Sequence, residues 1–262
     1  MPNKGRPLRA AIVTGGASGI ELATTERLLA SGWSVAVFDC DETAVAKLHN
    51  AFGDKVRVDV LDVTDEAAAE TAVQNVAAVF GRLDGVVNSA GIGIDLHVFD
   101  TPVSQFRNVL DINVTGTFII GRAAARVMKD QGAGAIVNIA SIAGLRGFKG
   151  RVAYGASKGA VAILTQVMAV DLARYSIRVN AVAPGPVDTP LVQMMHPAAV
   201  RRAVLHHTPM RRYAVPDEIA TAIVFLLDST QSSFVTGAIL PVDGGFTGAG
   251  LMELEEELPK KD

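Results

Sequence analysis

Residues 10–21 read Ala10-Ala11-Ile12-Val13-Thr14-Gly15-Gly16-Ala17-Ser18-Gly19-Ile20-Glu21, and this stretch decides the fold. Small and β-branched residues form a buried strand, a glycine turn follows, and a helix starts at about Glu21. Glycines at such a turn let backbone N–H groups and the positive end of the helix approach an anion such as a pyrophosphate. Alone, the turn is equally well a tight reversal with no ligand.

Outward from it, short apolar runs alternate with stretches of helical period. The runs are residues 10–13, 33–38, 56–60, 85–87, 135–139, 177–182 and 238–242. The helical stretches include 41–51, 65–80, 105–129, 153–174 and 217–227. This alternation predicts an α/β fold: a three-layer, doubly wound (Rossmann-like) parallel sheet of seven strands, with helices on both faces. Gly32 closes the first helix, Asp41 and Thr64 are candidate N-caps, and Pro216-Asp217-Glu218 opens a later helix. No linker or repeat divides the chain, so one domain is expected over 1–262, with a surface-lying or flexible acidic tail at 251–262.

Of the 262 residues 49% are hydrophobic and 19% charged, and the formal net charge is -3. That balance offers no footprint for nucleic acid or acidic lipid. The single cysteine, Cys40, excludes an intrachain disulfide and multi-cysteine zinc sites, and no His/Cys cluster suggests a metal. No apolar stretch with a cleavage site follows the basic residues 1–9, and no uninterrupted apolar run reaches bilayer length. A soluble, cytoplasmic protein is expected.

The second strand settles what the glycine turn leaves open. It ends in Asp39, twenty residues beyond Gly19, where an acid accepts both hydroxyls of an adenosine ribose. The same carboxylate repels a 2′-phosphate, and Cys40 rather than a basic residue follows it. NAD is therefore expected over NADP. The competing reading makes Asp39-Cys40-Asp41 only a helix cap.

Between residues 8 and 247 the chain resembles the short-chain dehydrogenase/reductases, in their single-domain branch. The resemblance rests on Thr14–Gly19, Asp62-Val63, Asn88-Ser89-Ala90-Gly91, Asn113, Ser141, Tyr154-x-x-x-Lys158 and Pro184-Gly185. It implies that Gly15, Ser18, Gly19 and Ile20 line the dinucleotide, with Ile20 near the nicotinamide. Asp62 and Val63 would touch the adenine, and Asn88, Ala90 and Gly91 the adenosine side. Val187 and Thr189, after Pro184, would hold the carboxamide, and Lys158 would reach the nicotinamide ribose.

Two positions depart from the family pattern. Ser89 replaces a commoner asparagine, and Glu21 fills the third glycine position of the turn. A glutamate there turns into solvent, complementing the helix dipole, or faces the diphosphate. In the second case like charges 6 Å apart cost ~3 kcal/mol per pair at an effective dielectric of 20. The expectation is weakened cofactor binding; equal NADH dissociation constants for wild type and Glu21→Gly would reject it.

Tyr154 and Lys158, four apart on a helix, share a face. An ammonium beside a phenol, whose ordinary pKa is near 10, brings it toward the working range of a base. In the oxidative direction the phenolate takes the hydroxyl proton while hydride leaves the carbinol carbon for the nicotinamide. Ser141, thirteen residues earlier, would donate to the substrate oxygen, and Asn113 would anchor a water in a proton relay to the lysine, as the resemblance implies.

The expected function is therefore hydride transfer between NAD(H) and a secondary alcohol or ketone of polyol, sugar, diol or hydroxy acid type. The alternatives are a β-ketoacyl thioester reductase, opposed by Asp39, and a non-catalytic dinucleotide sensor, suggested only by Glu21. Arg146, Lys149, Arg201-Arg202, Arg211-Arg212, His97 and His206 near the pocket would attract an anionic substrate or, more simply, be solvated charges. His97, His196, His206 and His207 read as loop or packing residues. The helix over 153–173 is apolar nearly all round, which predicts a homo-oligomer, dimer or tetramer.

Overall fold

The computed structural model describes residues 9–15, 19–250 and 252. The expected Ser18 contact and, Met252 apart, the acidic tail lie outside the described residues. In chain order the first half runs β1 (Ala10–Thr14), α1 (Gly19–Ala30), β2 (Ser34–Asp39), α2 (Glu42–Phe52), β3 (Val56–Val60), α3 (Glu66–Phe80) and β4 (Gly85–Asn88). Then come α4 (Val103–Leu110), α5 (Thr117–Gln131), β5 (Gly134–Ile139), α6 (Val152–Leu172) and β6 (Ile177–Pro184). The chain continues through α7 (Pro190–Met195), α8 (Ala198–His207), α9 (Pro216–Leu227), α10 (Ser229–Ser232) and β7 (Ile239–Val242).

The seven strands form one parallel sheet in the order β3-β2-β1-β4-β5-β6-β7, as expected. The order reverses direction between β1 and β4, and a doubly wound sheet opens its binding crevice at the carboxyl ends of the strands there. Strand periodicity sorts the core into two layers. Ile12, Val86, Ile136 and Val179 face α3, α5 and α6. Ala11, Val13, Val35, Val37 and Val137 face Leu28 of α1, Leu48 of α2 and Ile219, Ile223 and Leu226 of α9.

Three local expectations change. The helix expected over 105–129 runs from Val103 to Gln131, and it widens into a π turn over Asp111–Gly116 that holds Asn113. The cap of α3 is Asp65, whose carboxylate accepts from Ala68 N at 3.0 Å, whereas Thr64 bonds back to Asp62. The stretch Val152–Tyr175 does reach membrane-spanning length and composition, with mean hydropathy 1.3. Its inner face, however, buries Ser157, Lys158 and Thr165 against the body of the domain, where Asn113, Ile139 and Asn138 are their hydrogen-bond partners.

Candidate active site

The glycine turn is fastened to the end of β4. Thr14 Oγ1 accepts from Ser89 N and Ala90 N, both at 3.1 Å. Gly15 adopts φ +82°, and a Cβ on it would stand 2.9 Å from Ala90 Cα. Only glycine meets both demands. Across the cleft, Gly19 faces the methyl of Thr189: a Cβ there would come within 3.2 Å of it. The Thr189 hydroxyl caps α7 through Val192 N, and Val187 beside it is buried. Pro184 ends β6, and Gly185 N donates to Val242 O.

The acid at the end of β2 is not the helix cap. Asp41 caps α2 by accepting from Thr43 N at 2.8 Å, while Asp39 takes only Asp41 N, at 3.0 Å. Asp62 is exposed and holds Thr64, and Val63 is buried against Gly116 in the π turn. The Asn88 side chain is buried. Its Nδ2 donates to Asn138 Oδ1 at 2.9 Å inside the core.

The four catalytic candidates gather at the carboxyl ends of β4 and β5. Ser141 follows β5 as the cap of a short turn, accepting from Ala143 N at 3.1 Å, and its hydroxyl acts to lower the Tyr154 phenol. Lys158 is buried, donates to Ile139 O at 2.7 Å, and lies 5.8 Å from the Tyr154 ring centre. Gly91 admits this packing, since a Cβ on it would meet Asn113 Oδ1 at 2.9 Å and Lys158 Nζ at 3.6 Å.

Two positions have surroundings that the sequence did not show. Burial, with a smaller push from Glu21, raises the Tyr154 phenol, and Ser141 and Arg151 oppose it. Lys158 is itself pushed down to about 8 by burial, against the pull of Glu21. Asn113 spends its amide on protein partners: Nδ2 donates to Ile92 O and Ser157 Oγ, each at 2.9 Å, and Oδ1 accepts from Ile92 N at 2.8 Å. Its side chain therefore clamps the segment after β4 onto α6, and Ser157, which the sequence reading did not single out, completes the clamp by donating to Tyr154 O at 2.7 Å.

Glu21 neither turns into solvent nor is left without a partner. Its Oε1 accepts a hydrogen bond from Ser89 Oγ, so the two residues that depart from the family pattern meet. Burial raises its carboxyl to about 7 against the smaller opposing effects of Ser89 and Lys158.

Of the basic residues around the pocket, Arg201 pairs with Asp188 at 3.1 Å and lies over Tyr213, Arg212 pairs with Glu218, and Arg146 donates to Thr247 O. His196 bonds Tyr213 at 3.0 Å, and His207 bonds Ala203 O at 2.8 Å. These are packing roles, as expected. Arg151, not singled out from sequence, stands 5.7 Å from the Tyr154 ring centre, with Asp95 at 3.7 Å. An open cleft of about 580 Å³ lined by Leu29, Trp33 and Phe52 lies at the opposite, amino end of the strands.

These residues fit a nicotinamide dinucleotide. Gly15 and Gly19 leave little room for a side chain at the end of β1 and the start of α1, where a diphosphate approaches, and an acid that caps no helix ends β2. Among the described residues no group of His, Cys, Asp and Glu could hold a metal.

A family model described as enoyl-(acyl carrier protein) reductase matches residues 15–247. The cis-4-hydroxycyclohexanecarboxylate dehydrogenase of Sinomonas cyclohexanicum is 45% identical over 244 residues, 91% of this chain and 96% of the relative. The 2-(R)-hydroxypropyl-CoM dehydrogenase of Xanthobacter autotrophicus is 43% identical over 251 residues, 91% of this chain and 98% of the relative. The solved structure of NAD+-bound xylitol dehydrogenase superimposes with a TM-score of 0.87 at 38% identity, covering 92% of this chain and 100% of that one. Likeness of this extent in both sequence and fold leaves one conclusion: the chain belongs to the short-chain dehydrogenase/reductase family.

Proposed function

We propose that the protein is an NAD(H)-linked oxidoreductase that interconverts a secondary alcohol and its ketone, with Tyr154 as acid/base. The observation that carries this reading is the convergence of the Ser141 hydroxyl, the Tyr154 phenol and the Lys158 ammonium beside the glycine turn. A bound nicotinamide would accept or supply the hydride. The protein's part is to hold the substrate oxygen between Ser141 and Tyr154 and to move one proton at the Tyr154 oxygen. Lys158, fixed by Ile139 O, supplies a positive charge on the same helix face. NAD is favoured over NADP because Asp39 carries negative charge where a 2′-phosphate would lie.

Within this class we favour a hydroxy acid. The Arg151 guanidinium flanks the Tyr154 ring, and among the described residues its one ion pair is the long one to the exposed Asp95, so it can meet a second carboxylate beside the reacting oxygen. The relative from Sinomonas cyclohexanicum is named for a carboxylated ring alcohol. The exposed apolar residues Ile163, Val167 and Val170 on α6 support assembly into a dimer or tetramer. The balanced charge supports a cytoplasmic protein without nucleic-acid partners.

The test is absorbance at 340 nm over a panel of secondary alcohols and ketones, each with NAD(H) and NADP(H). The panel pairs cyclohexanol with 4-hydroxycyclohexanecarboxylate. Turnover with NAD(H) is expected, faster with the carboxylated substrate. Binding of NADH without turnover of any member would contradict the reading in favour of a sensor.

A further inference from the structure

Glu21 and Ser89 are 68 positions apart in sequence and joined by a hydrogen bond in space. The carboxyl is lodged at the start of α1, in the gap between that helix and the segment leading into α7. Its Oε2 lies 3.6 Å from the point where a Cβ on Gly19 would stand, and the Thr189 methyl lies 3.2 Å from the same point. This is the gap that a dinucleotide diphosphate must enter to reach the helix N-terminus. The titratable groups facing the carboxyl are Lys158 and the neutral phenol of Tyr154 from α6 and Asp39 from the end of β2. Ser89 and Thr189 add neutral groups only. One cation, Lys158, therefore stands against one other carboxylate, Asp39, before any phosphate is counted.

We propose that Glu21 couples dinucleotide binding to the uptake of one proton, the neutral carboxyl admitting the diphosphate and the carboxylate repelling it. This rests on the reading of the cleft as a dinucleotide site. No bond breaks: carboxylate, proton and dinucleotide combine into a complex that holds a carboxylic acid. A carboxyl held up to about 7 by burial is ionised over much of the range in which enzymes work, so the coupling acts near neutral pH. Linkage then fixes the form of the pH dependence. Affinity is level below about pH 7 and falls by up to about tenfold per pH unit above it. Ser89 tunes the break, because its hydrogen bond favours the ionised form.

The test is calorimetric titration of NADH into wild type, Glu21→Gln, Glu21→Gly and Ser89→Ala from pH 6 to pH 9, in two buffers of different ionisation enthalpy. Thermal midpoints establish that each variant is folded. For wild type the dissociation constant should rise more than about tenfold between pH 7 and pH 8.5, with about one proton taken up per NADH at pH 8. Glu21→Gln and Glu21→Gly should take up no such proton and bind more tightly at high pH. Ser89→Ala should move the break upward. Lys158 also titrates, and loss of Glu21 lowers it further, so Ser89→Ala, which keeps the carboxylate, is the variant that isolates the contribution of Glu21. Wild-type binding that parallels Glu21→Gln at every pH, without proton uptake, would overturn the coupling and leave the dinucleotide site standing. Failure of all four proteins to bind NADH at any pH would overturn the dinucleotide site itself, and the coupling with it.

Discussion

Lys158 and Tyr154 sit one helical turn apart, and burial acts on them in opposite senses, lowering the ammonium and raising the phenol. Both shifts favour the neutral forms, and the Ser141 hydroxyl and the charge of Arg151 oppose the rise of the phenol. Arg151→Met should raise KM for a hydroxy acid by roughly tenfold or more, the worth of a charged hydrogen bond, and leave KM for a neutral ring alcohol nearly unchanged. Steady-state kinetics on the paired substrates checks this. Glu21 gives a second residue-scale prediction, in stability. Its carboxyl rises from an ordinary 4.5 to about 7 on folding, so between those values the native chain holds a proton that the unfolded chain has released. Stability is therefore full below about pH 4.5, declines as pH rises through 7, and levels off above it. Glu21→Gln should remove this decline, worth about 2 kcal/mol after allowing for solvent that still reaches the carboxyl, as read by urea unfolding at pH 5 and pH 8. Tyr154 and Lys158 were legible in the sequence because a four-residue step fixes their common face. The inward turn of Glu21 was not, because its partner Ser89 comes from a different strand end.

At the scale of elements, the strands were legible because a buried parallel strand is a run of apolar residues whatever its neighbours are. The π turn over Asp111–Gly116 was not. Its widening accompanies the Asn113 clamp on Ile92 and Ser157 and the seating of Val63 on Gly116, contacts to three other parts of the chain. Likewise Thr64 and Asp65 are both competent caps, and only the path of the backbone into α3 selects Asp65. Ser157 was hidden inside the motif that drew attention to its neighbours. Asn113→Ala would leave both polar groups of the Ile92 backbone without these side-chain partners. It should cost about 1–3 kcal/mol in denaturant unfolding and lower kcat through displacement of the segment that packs against Lys158.

At the scale of the whole molecule, the sheet and its two helical layers followed from the alternation of runs along the chain, and the reversal of strand order puts the crevice where the motif residues converge. What repetition along the chain cannot show is which apolar helix faces the sheet leaves uncovered. On α6 the residues Ile163, Val167 and Val170 are 61%, 52% and 79% exposed and fall along one face, while Met168 and Ala169 pack inward. Light scattering should give the mass of a dimer or tetramer, and Val170→Lys should reduce it. A monomeric wild type would contradict that part of the account. The central claim concerns a proton held at one phenol oxygen. Its most direct test is the rate of NADH formation from a secondary alcohol by wild type and Tyr154→Phe, with NADH affinity measured on both proteins. The account predicts a loss of at least about 10²-fold in turnover with binding retained; turnover by the variant at the wild-type rate would contradict it.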